Sequence, residues 1–228
     1  FKMLMENGAW GTLESTIPPV TGPAWVSFAT GKNPGKHGVF DFVRLENDSL
    51  KLITSKDVKD LTIYDILSRK GFRNVIISLP LSFPPKEGFN GVMISDFLYP
   101  GGLDIVPSSK RKYIENYRLI PDVTKDGDEL LKDMIETIKI KVQVVKELFT
   151  KEDWDFFFYH YHETDYVSHG FWEEIKRNTS IGEKAKEVFQ MADEFLGWIL
   201  DRIDEETILL LMSDHGFADC PYKINLNN

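Results

Sequence analysis

The segment Thr207-Ile-Leu-Leu-Leu-Met-Ser-Asp-His-Gly-Phe217 constrains this chain more than any other. Its apolar part, 208–212, has the length of a strand and no polar interruption, the pattern of a strand buried on both faces of a parallel sheet. At Ser213-Asp-His-Gly216 polar chemistry begins abruptly. Open α/β sheets bind ligands beyond the carboxyl ends of their strands, so Asp214 and His215 are well set there as metal ligands. Taken alone the motif suits a turn as well, because Asp and Gly are ordinary turn residues.

The rest of the chain supplies context. Apolar strands are expected at 74–79, 92–97 and 154–161, shorter ones at 11–16, 39–44 and 49–54, and helices at 1–7, 61–69, 126–149 and 181–203. A further short helix is expected from Thr21 to a stop at Gly31, with Thr21 as its N-cap and Pro23 in its first turn. The α-to-β alternation predicts a layered α/β domain over 1–228. Residues 107–121 read poorly, with one basic helix at best, and about 97–126 is expected to be an insert that sets specificity.

Charge narrows the functions. With 36 acidic and 27 basic residues, a net charge of −9 argues against a nonspecific nucleic-acid or anionic-membrane binder. Phosphate would then be met by metal ions or local donors. Cys220 is the single cysteine, so no internal disulfide forms, which fits a cytoplasmic setting. No apolar run reaches the roughly 20 residues of a membrane span, and the first residues do not form a signal peptide. A soluble protein is expected.

Two further features carry chemistry. Asp165 and His169 are spaced i, i+4, which puts carboxylate and imidazole on one face of a helical turn, within reach of one ion. Thr21 opens a helix whose free N–H groups favour an anion. Each has a plainer reading, as a solvated helix pair and a capping threonine respectively.

Together, Thr21-Gly-Pro-Ala-Trp-Val-Ser-Phe-Ala-Thr-Gly-Lys-Asn-Pro-Gly-Lys-His-Gly38, Asp165-x-x-x-His169 and Ser213-Asp-His-Gly-Phe217 resemble, in order and along nearly the whole chain, the alkaline phosphatase superfamily in its type I phosphodiesterase/nucleotide pyrophosphatase branch. The resemblance implies a three-layer α/β fold, with a mostly parallel central sheet and helices on both faces. It implies that Thr21 is a metal-bound nucleophile, that Asp165 and His169 belong to one metal site, and that Asp214 and His215 belong to the other. Two divalent ions are implied, zinc or else manganese. A small phosphorylated substrate is implied as the partner. The family's Asp after the first strand and its His beyond the Ser-Asp-His-Gly motif have no counterparts here, so the chain is expected to be a fragment lacking both ends of the family domain.

The pattern departs from the family at Ala24, where nucleotide-cleaving members place an asparagine that binds a phosphoryl oxygen; Gly22 still offers its backbone N–H. His37 is expected to be structural, His160 and His162 to sit in the core or beside the ligands, and Phe171 and Trp172 to be core. The implied activity is metal-dependent hydrolysis of a phosphodiester or nucleotide pyrophosphate through a phospho-threonine intermediate. The alternatives are a cofactor-independent phosphomutase-like enzyme and a catalytically inactive binding protein or fragment on the same fold. A sulfatase is disfavoured, because Thr21-Gly-Pro-Ala-Trp25 lacks that group's Cys/Ser-x-Pro-x-Arg pattern.

Overall fold

The computed structural model describes residues 1–219; Cys220 and the rest of 220–228 lie outside the described residues. In chain order the elements are α1 (Lys2–Asn7), α2 (Thr21–Thr30), α3 (Pro34–His37), β1 (Val43–Glu46), β2 (Ser49–Leu52), α4 (Ile63–Arg69), β3 (Asn74–Ile77), β4 (Gly91–Ile94), β5 (Ile105–Val106), α5 (Gly127–Lys151), β6 (Phe156–Tyr159), α6 (Glu163–Lys176), α7 (Ser180–Ala185) and α8 (Glu187–Leu200). Two short 3₁₀ helices occupy Ser55–Asp57 and Ser108–Ile114.

The central sheet runs β5-β4-β3-β6. β3 pairs in parallel with both β4 and β6, while β5 joins β4 antiparallel. Because Ile77 is opposite both Ile94 and Tyr159, the parallel strands end level with one another, and Ser78, Ser95 and His160 emerge side by side. Strand residues alternate between faces. Val75, Ile77, Val92 and Ile94 pack with Tyr113, Tyr117, Val145 and Leu148, whereas Ile76 and Met93 pack with Trp25, Ala29 and Tyr64 on the other side. This mostly parallel sheet between α5 and the α2/α4 pair is the three-layer α/β arrangement. A separate apolar cluster joins α5, α6, α7 and α8.

Local signals explain most boundaries. Thr62 and Asp65 form a reciprocal capping box that starts α4, and Gly31 and Gly38 close α2 and α3 at φ 66° and 76°. The 39–44 and 49–54 expectations become the antiparallel hairpin β1–β2.

Four expectations need correction. Residues 208–212 form no strand: Ile208, Leu210 and Leu211 are 94%, 71% and 53% exposed, and only Met212 of these packs onto the Trp25 cluster. An unbroken apolar run expresses side-chain preference, but a strand also needs a neighbour in register, and among the described residues none pairs with this one. Residues 11–16 likewise form no strand. The expected 181–203 helix is two helices meeting at Lys186, the first capped by Thr179. Finally, Thr21 is not the N-cap of α2. Val20 is, with extended φ/ψ of −122° and 143°, and no side chain caps the helix.

Candidate active site

The candidate site lies at the carboxyl ends of β3 and β6. Since Thr21 is already helical, its hydroxyl is free of capping and donates to His215 Nε2 at 3.2 Å. That direction belongs to the neutral ring: His215 Nδ1 lies 3.0 Å from the Gly216 carbonyl, which only accepts, so the single proton of the neutral imidazole sits on Nδ1 and Nε2 offers a lone pair. Asp214 is beside it, with Oδ2 3.4 Å from His215 Nε2. The extended segment bearing both is tied back by Ser15, whose hydroxyl donates to the Asp214 carbonyl.

α6 supplies the facing half. Asp165 and His169 share one helix face as their spacing predicts, with His169 Nε2 3.6 Å from Asp165 Oδ1. His215 Nε2 is 4.0 Å from the same oxygen, so Asp165 links the two halves. His162 Nε2 approaches the other carboxylate oxygen at 3.3 Å. Burial works against charge on Asp165, but His162, and beyond it His169 and His215, hold its pKa below the usual carboxylate value.

His160 and His162 stand where expected. His160 is packed edge-on to Trp25 and stacked on His162, and burial reinforced by His162 and Lys141 drives its pKa well below the ordinary imidazole range. It is a neutral packing group. Phe97 covers His162, with ring centroids 4.2 Å apart, so the 97–126 segment begins at the site's edge. Phe171 is core, whereas Trp172 packs on Phe217, which also meets the His169 ring, and donates to Asp219.

The start of α2 also has few amide donors. Pro23 has no N–H, and that of Ala24 is spent on the Val20 carbonyl, leaving the amides of Thr21 and Gly22 to face an anion. A Cβ on Gly22 would come 3.3 Å from two ring carbons of Phe42, so the glycine lets that ring cover the turn.

His37 is buried, accepts from the Val39 N–H through Nδ1 and meets Ser27 Oγ at 2.9 Å through Nε2. Burial lowers its pKa. It braces the α2–α3 corner. Asp96 was not singled out by the sequence, although it too follows an apolar strand, β4. It is 1% exposed, accepts from Leu98 N–H at 2.8 Å, and burial pushes its pKa up to about 6.

Several observations bear on a cation. Asp165 Oδ1 is buried with no hydrogen-bond donor, although carboxylate oxygens in such surroundings are normally satisfied. Ligand atoms of a tetrahedral ion held at 2.0–2.1 Å stand about 3.4 Å apart. The Thr21–His215, Asp214–His215, Asp165–His169 and Asp165–His215 separations run from 3.2 to 4.0 Å, so donor chemistry and the spacing of these four pairs fit. Among the described residues no three or more His, Cys, Asp or Glu side chains form a finished metal cage; drawing these together takes adjustments of side chains, of which His169 is 68% exposed.

The sequence matches the family described as Type I phosphodiesterase / nucleotide pyrophosphatase over residues 1–228. The chain belongs to that family. Type I phosphodiesterases/nucleotide pyrophosphatases are hydrolases that generally work with divalent metal ions. No curated protein and no solved structure matches the chain. Among the described residues no helix is long and apolar enough to cross a membrane.

Proposed function

We propose that this chain is a metal-dependent phosphohydrolase that cleaves a phosphodiester or nucleotide pyrophosphate in a small substrate through a phospho-threonine intermediate. The observation that carries the reading is the 3.2 Å contact between Thr21 Oγ1 and the bare Nε2 of His215, at a helix start with free amides. Asp165 and His169 would hold one divalent ion, and Asp214 and His215 with Thr21 the other, zinc or else manganese. Bound there, the ions would make the alkoxide of Thr21 accessible near neutral pH and offset charge on the phosphoryl oxygens.

The remaining work belongs to the chain. The start of α2 aims Thr21 Oγ1 at phosphorus, and the amides of Thr21 and Gly22 receive a phosphoryl oxygen. Thr21 Oγ1 forms the new P–O bond as the leaving oxygen departs, and water then cleaves that bond to restore the hydroxyl. Residues 97–126, which reach the site through Phe97, select the leaving group. The lone Cys220 suits a cytoplasmic setting.

The test is hydrolysis of bis-p-nitrophenyl phosphate with added Zn²⁺ or Mn²⁺ by wild type, Thr21→Ser and Thr21→Ala. Thr21→Ala should lose about 10³-fold or more in rate, the scale on which loss of a nucleophile is felt, and Thr21→Ser should retain part of it. Equal rates for wild type and Thr21→Ala sink the nucleophile assignment. Isomerising transfer of phosphate without net release favours a phosphomutase-like enzyme, and binding without turnover favours an inactive relative.

A further inference from the structure

The mechanism leaves one buried ionic group unused. Lys141, midway along α5, and Glu163, the first residue of α6, are each 1% exposed and meet at 2.6 Å. Lys141 Nζ also donates to the Leu119 carbonyl at 3.3 Å, so one ammonium joins α5, α6 and the 97–126 segment. Glu163 Oε2 has no donor. A buried ion pair is weak evidence for stability, since apolar residues of similar volume often serve as well, and its best-attested use is fixing register.

No side-chain cap hydrogen bond fixes the start of α6, whose N-cap, His162, has αR backbone angles. Glu163 and Asp165 share this first turn. Two residues apart on a helix, their side chains leave the axis about 200° apart. Glu163 therefore faces α5 while Asp165 faces Thr21 and His215.

We propose that Lys141 and Glu163 are a positioning pair that sets the rotation of the first turn of α6 and thereby aims the Asp165 carboxylate; the inference rests on the metal-site reading above. A side-chain tip lies about 5–6 Å from a helix axis, so a 20° rotation of the turn moves the carboxylate by about 2 Å. Metal sites tolerate about 0.2 Å in ligand distance, so the lock must hold rotation to a few degrees.

The test compares wild type, Lys141→Met, Glu163→Gln and a control, Val145→Ala, which opens the core one turn further along α5. Two quantities are measured: hydrogen exchange of the Asp165 and Tyr166 amides without metal, both bonded to the His162 carbonyl, and Zn²⁺ affinity by competition with a chromophoric chelator. Lys141→Met and Glu163→Gln should weaken Zn²⁺ binding about 10- to 100-fold, the range for groups that orient ligands, and speed exchange at both amides at least about tenfold. Val145→Ala should leave both within about twofold at a comparable loss of Tm. Glu163→Gln keeps the shape but removes the charge that holds the Lys141 ammonium, and so carries the test if Lys141→Met does not fold.

Unchanged affinity and exchange in Glu163→Gln overturn the proposal, as does equal weakening in Val145→Ala. If wild type takes up no Zn²⁺, the metal reading fails, and the exchange rates alone then decide whether the pair fixes the turn.

Discussion

Asp96 offers a direct measure of how far the carboxyl ends of the strands are removed from water. Its side chain is 1% exposed, with Leu98 N–H as a donor. Burial outweighs that help and the backbone amides of Leu81 and Ser82, so its pKa rises from 3.8 to about 6. The folded protein therefore binds more protons here than the unfolded chain between those two values, and stability must fall as pH rises through the window. A rise of about two pKa units corresponds to about 3 kcal/mol, present in full below pH ~4 and lost above pH ~6. Carboxylates with lowered pKa, Asp165 and Asp57 among them, act in the opposite sense at the acid end, their contribution being lost as pH falls below about 4, so the wild-type curve alone is not diagnostic. The informative quantity is the stability difference between wild type and Asp96→Asn, from urea denaturation at half-unit steps between pH 3.5 and 7.5. Asparagine meets the nearby amides less well, a cost that does not vary with pH. The difference should therefore move in favour of the variant by about 3 kcal/mol from the acid to the neutral end. Parallel curves would refute the argument that burial dominates at this carboxyl.

Two other substitutions probe the scaffold and the site separately. Gly91 has φ +139° and a Cβ there would lie 1.8 Å from the Asn74 carbonyl oxygen, so Gly91→Ala should break the β3–β4 register and cost about 3 kcal/mol or more in urea denaturation; a loss under about 1 kcal/mol contradicts the crowding. His37→Ala leaves the buried Val39 N–H without its acceptor and should cost about 1–3 kcal/mol in stability while keeping kcat/KM for bis-p-nitrophenyl phosphate within about threefold; a large kcat loss in still-folded protein would make His37 part of the chemistry.

What could be read in the sequence follows from the range of the forces involved. β3, β4, β6 and α5 came through because their apolar patterns and caps are local, and Asp165 with His169 came through because helix spacing alone places them together. The strand at 208–212 failed for the opposite reason: Leu210 and Leu211 have the right side chains, but pairing depends on a distant neighbour. Thr21 was misplaced by one position, since a threonine before Gly-Pro looks like a cap; Val20 turns the chain instead, and that shift frees the hydroxyl. His162 was recognised only as a neighbour of the site, because nothing in Tyr161-His-Glu163 shows that the ring folds back onto Asp165. The Lys141–Glu163 pair left no trace, as a lysine within a charged amphipathic helix reads as solvated.

The hydroxyl–imidazole contact joins residues 194 positions apart. Closing a loop of that length costs about 2 kcal/mol more than closing one of 20 residues, a modest addition for a tenfold longer span, and the order of synthesis separates the two partners further. Among the described residues the strands of the sheet and Thr21 all precede α6, so they are synthesised before the imidazole. A nascent chain that ends before residue 215 thus carries every strand among the described residues and lacks the imidazole that the Thr21 hydroxyl meets.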